Sequence, residues 1–292
     1  MDSILNNLKQ EFKQGTILNK LIFINVGLYL FFSILGVFSF MFQFNITPII
    51  NKFYLASNVD TLIKQPWSFI SYMFLHNSLI HLIFNMIWLH FVGKLFLEHL
   101  NPKQLLSTYI LGGISGGLIF IISYNYIPIF QPFSTNASAV GASASVFAIM
   151  IAIATYRPNY NIQLPFLGYI RLKHIALFMI ILDILSIPKS NAGGHIAHLG
   201  GALFGFIYVR KLKQGTDYSV YFSILLEKIS NTFKQKSGLR KKYKRTKSDH
   251  EFNSERVARQ KEIDKVLEKI ANSGYESLDK KEKETLFKSS KR

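Results

Sequence analysis

Three short polar clusters break an otherwise apolar chain: His81 with Asn85, Gly141-Ala142-Ser143, and Ala197-His198 followed by Gly201 and Gly205. Ionisable or nucleophilic side chains within membrane-type segments are costly to bury, so they point to chemistry before packing. A serine hydroxyl is a weak nucleophile until a neighbouring base takes its proton, and histidine is the usual base. Ser143 and His198 are therefore the candidate catalytic pair of a serine hydrolase. Attack on a carbonyl creates an oxyanion that needs preorganised donors in a water-excluded site. A serine at a helix start brings free backbone N–H groups and the positive end of the helix dipole. His81 and Asn85, four apart and so on one helical face, supply side-chain donors. The small residue Gly141 admits a substrate backbone, and Gly201 with Gly205 forms a strip that lets two helices touch closely.

The elements that must carry these residues are long apolar runs. The chain has 292 residues, 49% of them hydrophobic and only 17% charged. A bilayer core of about 30 Å needs about 20 apolar residues in a helix. Leu21 to Phe42, Met73 to Gly93, Leu105 to Tyr124 and Ala139 to Tyr156 meet or approach that requirement. Ile175 to Ile187, which contains Asp183, and Ile196 to Val209 are shorter and complete an expected set of six spans. The fold class expected is all-α, a polytopic membrane helix bundle over residues 20–212. Residues 1–19 form a cytoplasmic or interfacial segment, with Ile4, Leu5, Leu8 and Phe12 on one helical face.

Charge sets the orientation. Residues 1–209 carry 11 Lys/Arg against 5 Asp/Glu, and residues 210–292 carry 23 against 12. Short-loop cations mark the cytoplasmic side. Lys9, Lys13, Lys20, Lys94, Lys103, Arg157, Arg171, Lys173 and the tail fall on one side, and only Lys52, Lys64 and Lys189 on the other. Both termini are then cytoplasmic, and spans two, four and six run inward. His81, Ser143 and His198 arrive at similar depth, in the outer part of the membrane. No cleavable leader is expected, because the first 20 residues are polar and mixed in charge. The absence of cysteine excludes disulfides and thiolate chemistry.

In this order and on these spans, the motifs resemble those of the rhomboid family of intramembrane serine proteases. The likeness covers residues 20 to 212. It implies that Ser143 attacks the substrate, that His198 serves as base and then acid, and that His81 and Asn85 stabilise the oxyanion. It also places His76 near the site and Pro66-Trp67 in a first outer loop, from about Gln43 to Met73, that lies partly in the membrane. The fifth span would border the entrance for substrate helices. The expected activity is endopeptidase cleavage of transmembrane protein substrates in a multi-pass protein of a bacterial cytoplasmic membrane. A relative that has lost catalysis and only holds membrane clients is the alternative. Two positions depart from the family pattern. Ala144 stands where glycine commonly follows the serine, which is unstrained if its backbone is helical. Phe147 replaces a tyrosine and can stack on an imidazole but cannot donate a hydrogen bond.

Plainer roles stand beside these. Ser145 and Ser138 are decoys, Ser145 projecting from a different side of its helix. His195 reads as a loop-side or capping histidine, and His90 as a donor to a neighbouring helix. Asp183 could orient His198 as a third member, although pairing with backbone or loop groups is the commoner arrangement. No metal or organic cofactor is implied: the spacing of His81 and Asn85 mimics a zinc-protease helix but lacks its second histidine and its glutamate. A transporter would show an internal repeat or charged residues paired across spans, and neither is evident.

Residues 213–252 read as a basic linker whose run 234–247 suits the anionic headgroups of the lipid bilayer. No nucleic-acid partner is needed to explain that charge. Residues 253–292 read as a cytoplasmic helical hairpin. Its first helix carries Val257, Ile263, Val266, Leu267 and Ile270 and stops near Ser273-Gly274. Asp279-x-x-Glu282 forms a capping box before a second helix with Leu286 and Phe287.

Overall fold

The computed structural model describes residues 15–164, 168–233 and 249–290. The expected interfacial face from Ile4 to Phe12 and the basic run 234–247 lie outside them. Residues 1–233 and 234–292 are separate compact units.

The first unit is the helical membrane bundle. Its principal helices are α1 (Ile17–Met41), α2 (Leu79–Leu97), α3 (Pro102–Tyr126), α4 (Ser143–Tyr156), α5 (Leu172–Ser186) and α6 (Ala192–Lys213). Four of them, α1, α2, α3 and α6, are long and apolar enough to cross a bilayer. The count of six spans rests on α4 and α5, which have 14 and 15 residues. Local chemistry sets the boundaries. Thr16 caps α1, its hydroxyl accepting from Asn19 N–H at 3.3 Å. Ser78 caps α2 by accepting from His81 N–H at 3.2 Å, which moves the helix start to Leu79 from the expected Met73. Asn101 and Gln104 close a reciprocal capping box behind Pro102, so α3 begins sharply.

Helix α4 is the centre of the bundle. Every residue from Ala144 to Ala154 is buried, as expected of a helix that is apolar all round. It packs on α2, α3, α5 and α6, and α3 packs on α6. Those contacts are made at backbone distance. A Cβ at Gly116 of α3 would lie 2.6 Å from the Ala197 carbonyl oxygen. At Gly201 and Gly205 of α6 it would overlap the carbonyl oxygens of Ala144 and Ala148. Ser115 adds a hydrogen bond from its hydroxyl to the Gly200 carbonyl at 2.9 Å. The glycine strip therefore does what the sequence asks of it.

The segment between α1 and α2 is a structured loop, with short helices at Thr47–Asn51, Val59–Lys64 and Ser68–Ser71. Trp67 pins it by donating to the Lys52 carbonyl at 2.9 Å. Its two-residue strand β1 (Leu55–Ala56) pairs antiparallel with β2 (Ser138–Ala139), just before α4. A second pair, β3 (Asn161–Leu164) with β4 (Gly168–Arg171), links α4 to α5.

A further helix, α7 (Tyr218–Phe233), packs on α3, in a region the sequence reading assigned to a linker. Its anchor is Asp217, whose carboxylate accepts from Gln104 Nε2 at 2.8 Å, Tyr208 hydroxyl at 3.1 Å and Ser219 N–H at 2.9 Å. In the second unit, α8 (Asp249–Ser273) and α9 (Lys280–Ser290) form a hairpin turned at Gly274, with φ of 78°. The capping box is present, Asp279 Oδ1 accepting from Glu282 N–H and Glu282 Oε2 from Asp279 N–H, each at 2.8 Å.

Candidate active site

Ser143 is the first residue of α4, and Ala142 before it offers no side-chain cap. The opening N–H groups of this central helix are therefore left free for a ligand. The approach to Ser143 is a tight one. Gly141 has φ of 128°, a conformation closed to L side chains, and donates its N–H to the Tyr72 carbonyl at 3.0 Å. A Cβ at this position would lie 2.7 Å from Cε1 and 2.9 Å from Nε2 of His81. Only a glycine lets that imidazole lie against the backbone leading to the serine. Ala144, one residue on, is helical and unstrained.

Ser143, His81, Asn85, Gly141 and His198 line one cavity of about 420 Å³. The structure thus brings together residues that the sequence placed on three separate spans. Asn85 donates one amide hydrogen to the His81 carbonyl at 2.9 Å, leaving its second N–H available to the cavity. His198 lies in the second turn of α6, carried against α4 by the Gly201 contact. Its ring stacks on Phe147, with centroids 4.6 Å apart and planes 12° from parallel. Among the described residues, Ser143 Oγ and His198 share the cavity without a direct hydrogen bond. Catalytic hydrogen bonds are commonly open before substrate binds.

His76 is placed differently from its neighbours. It lies behind His81, with ring centroids 5.1 Å apart, and faces a second cavity with Tyr29, Phe32 and Tyr54. Both of its ring nitrogens are buried without a partner. His76 is not among the residues that line the main cavity and stands directly behind one that is, His81. His90 is exposed on α2, and among the described residues it makes no hydrogen bond to a neighbouring helix, unlike the expected donor. Ser145 faces away from the cavity, its hydroxyl 3.8 Å from Met73 Sδ.

The largest departure concerns Asp183. It is buried near the end of α5, and its Oδ1 lies 2.6 Å from His195 Nδ1 and 3.1 Å from His198 Nδ1. Among the described residues its side chain pairs with these two histidines and with no backbone or loop group, so His195 is its partner rather than a cap. The sequence signal was available in kind, as an acid in an apolar segment. The identity of its partners depends on how the turn between α5 and α6 folds back.

Comparison with known proteins gives a family. The model of the Rhomboid domain matches residues 64–214, and that of a family of unknown function matches residues 246–292. The mitochondrial RHOMBOID-like protein 12 of Arabidopsis thaliana is 28% identical over 195 residues, 62% of this chain and 56% of that protein. The rhomboid protease GlpG of Yersinia pseudotuberculosis is 27% identical over 146 residues, 49% of this chain and 47% of its own. The mitochondrial presenilin-associated rhomboid-like protein A of Danio rerio is 29% identical over 140 residues, 47% of this chain and 35% of its own. The chain thus spans about half the length, or less, of these relatives.

Proposed function

The chain belongs to the rhomboid family, and on that premise we propose that it is an intramembrane serine endopeptidase cleaving other membrane proteins in or near their spans. Ser143 Oγ attacks the scissile carbonyl carbon while His198 takes its proton. The oxyanion meets the free N–H groups at the start of α4, with the Asn85 amide and the His81 imidazole beside them. His198 then returns the proton to the departing amine, and water entering the cavity repeats the sequence to release the acyl-enzyme. A helical substrate must unwind locally before its carbonyl is reachable, because the peptide group is otherwise held in its own hydrogen-bonded ladder. Substrates with small or helix-weakening residues at the cut fit this need.

The observation that carries the reading is that an uncapped helix start bearing Ser143 opens into the same cavity as His198, His81 and Asn85. The test is cleavage of a single-span substrate in proteoliposomes by wild type, Ser143→Ala and His198→Ala. Each variant is expected to lose at least ~10³-fold in rate. Equal product from all three would discard the dyad.

A second reading, a protein that binds membrane clients without cutting them, is favoured by the lack, among the described residues, of a hydrogen bond between Ser143 and His198. Labelling of Ser143 by an activated phosphonate separates the two, since it requires a working base but no known substrate. Orientation with both termini in the cytoplasm, and contact of the basic run 234–247 with anionic lipid, complete the proposal.

A further inference from the structure

We propose that Asp183 is a positioning residue that fixes the tautomer and orientation of His198, with His195 as a second anchor on the same carboxylate oxygen. This rests on the Ser143–His198 reading above and extends it from two groups to four. Asp183 comes from α5, whereas His195 and His198 stand one turn apart on α6, so the contact ties two helices across the cavity wall. One oxygen, Oδ1, receives both Nδ1 atoms, at 2.6 Å and 3.1 Å.

An ionised carboxylate can only accept. Each imidazole must therefore carry its hydrogen on Nδ1 to make the contact, and each leaves Nε2 bare. For His198 that is the form a general base needs. Its ring plane is fixed by Phe147 and its Nδ1 is tied to α5, so Nε2 is the nitrogen left for the seryl proton. A protonated Asp183 would do the opposite, since a histidine accepting at Nδ1 holds its own hydrogen on Nε2 and cannot take another there. When His198 becomes cationic during the reaction, its bond to Asp183 becomes charge-assisted and shorter. Asp183 keeps its charge throughout and takes no proton.

The expense of the arrangement argues against packing. Asp183 is 5% exposed, and its second oxygen is buried without a partner. An enclosed carboxylate with one bare oxygen is a costly way to fill space in a stretch, Ile175 to Leu185, that is otherwise apolar. The titratable groups facing His198 are Asp183 from α5, His195 from its own helix and His81 from α2. A metal reading of the same trio fits the spacing less well. Adjacent tetrahedral zinc ligands, with bonds of about 2.0 Å, stand about 3.3 Å apart. The 2.6 Å separation of Asp183 Oδ1 and His195 Nδ1 is that of a hydrogen bond.

The test uses the full chain in proteoliposomes, with a single-span substrate and an activated phosphonate. Asp183→Asn keeps the shape but can turn a donor toward Nδ1, which places the His198 hydrogen on Nε2. Its kcat is expected to fall about 10²- to 10⁴-fold. KM should stay within about twofold, Ser143 labelling should slow in step, and the unfolding temperature should not change. Asp183→Glu, which keeps the acceptor, is expected to recover at least about tenfold of the loss. A purely structural role predicts that activity and unfolding temperature fall together and that Glu does no better than Asn, and that result would overturn the proposal. Should Asp183→Asn fail to accumulate, His195→Gln loosens the carboxylate and is expected to lower kcat about threefold to tenfold at unchanged KM. An unchanged kcat there counts equally against it. Wild type that neither cleaves nor labels defeats the proteolytic reading itself. Active wild type with Asp183→Asn within about twofold leaves that reading standing and defeats only this one.

Discussion

The seam where α3, α4 and α6 meet and the helix α5 beside it are built on opposite principles. In the seam, glycines bring backbones to contact distance, and the carbonyls of Ala144 and Ala148 occupy the space where α6 side chains would stand. On α5, only Leu172, Ala176 and Asp183 are buried, while Leu177, Phe178, Ile181, Leu182, Ile184 and Leu185 are exposed in an apolar stripe suited to lipid. Ser143 and His198 both belong to the seam, and the group that touches His198 from outside belongs to α5. The difference teaches a division of labour. Position is set by close backbone packing, and on the proposal above the tautomer of His198 by a single polar contact from a helix that is otherwise lightly held.

Substitutions can break each half of that contrast. Gly201→Val puts a side chain into the Ala144 carbonyl, and overpacking of this kind costs about 3 kcal/mol or more. It is expected to abolish folded protein, read as lost thermal unfolding in detergent. Phe147→Leu removes the aromatic ring under His198 while keeping most of the buried volume on α4. The stack is worth about 0.5–1.5 kcal/mol, so kcat/KM should fall about threefold to tenfold with the fold intact.

A smaller effect is expected at the anchor of α7. Burial works to raise the Asp217 carboxyl, but hydrogen bonds from Ser219, Gln104 and Tyr208 outweigh it and hold the group below its usual range. A depressed carboxyl stabilises the fold above its unfolded value of about 3.9. That contribution is lost as pH falls through the lower folded value. Asp217→Asn should therefore lower the unfolding temperature at pH 7, and the gap from wild type should close below about pH 4. Least of all, Phe178→Ala or Leu182→Ala on the exposed stripe of α5 should change stability by no more than about 0.5 kcal/mol. A large loss at either position would show that α5 is packed against something, and the contrast with the seam would fail.

The sequence made the seam legible because its signals are local. Ser143 after Gly141 reads as a helix start, and Gly201 with Gly205 reads as a close-contact strip from spacing alone. The Phe147 stack was expected from the family resemblance, in which a tyrosine stands at this position one turn beyond the serine. Asp183 was only half readable: its burial in an apolar run marked it as unusual, but its partners lie 12 and 15 positions away across a turn, and no periodicity encodes that contact. Helix α7 was missed for another reason. The basic residues after Phe233 gave the whole stretch the look of a linker, although Val220, Tyr221, Ile224, Leu225 and Ile229 already carry a helical period. His76 stands against His81 on the side of the second cavity, and proximity in sequence does not specify which side of that ring it occupies.

The brevity of α4 has a consequence for the bilayer itself. At 14 residues it is only about 21 Å long, some 9 Å less than the hydrocarbon it would have to cross. On the reading proposed above, Ser143 then lies at the bottom of a wet well, whose depth depends on the lipid tails as much as on the polypeptide. Vesicles of graded acyl-chain length would act as a dial on turnover, with no change in a single amino acid.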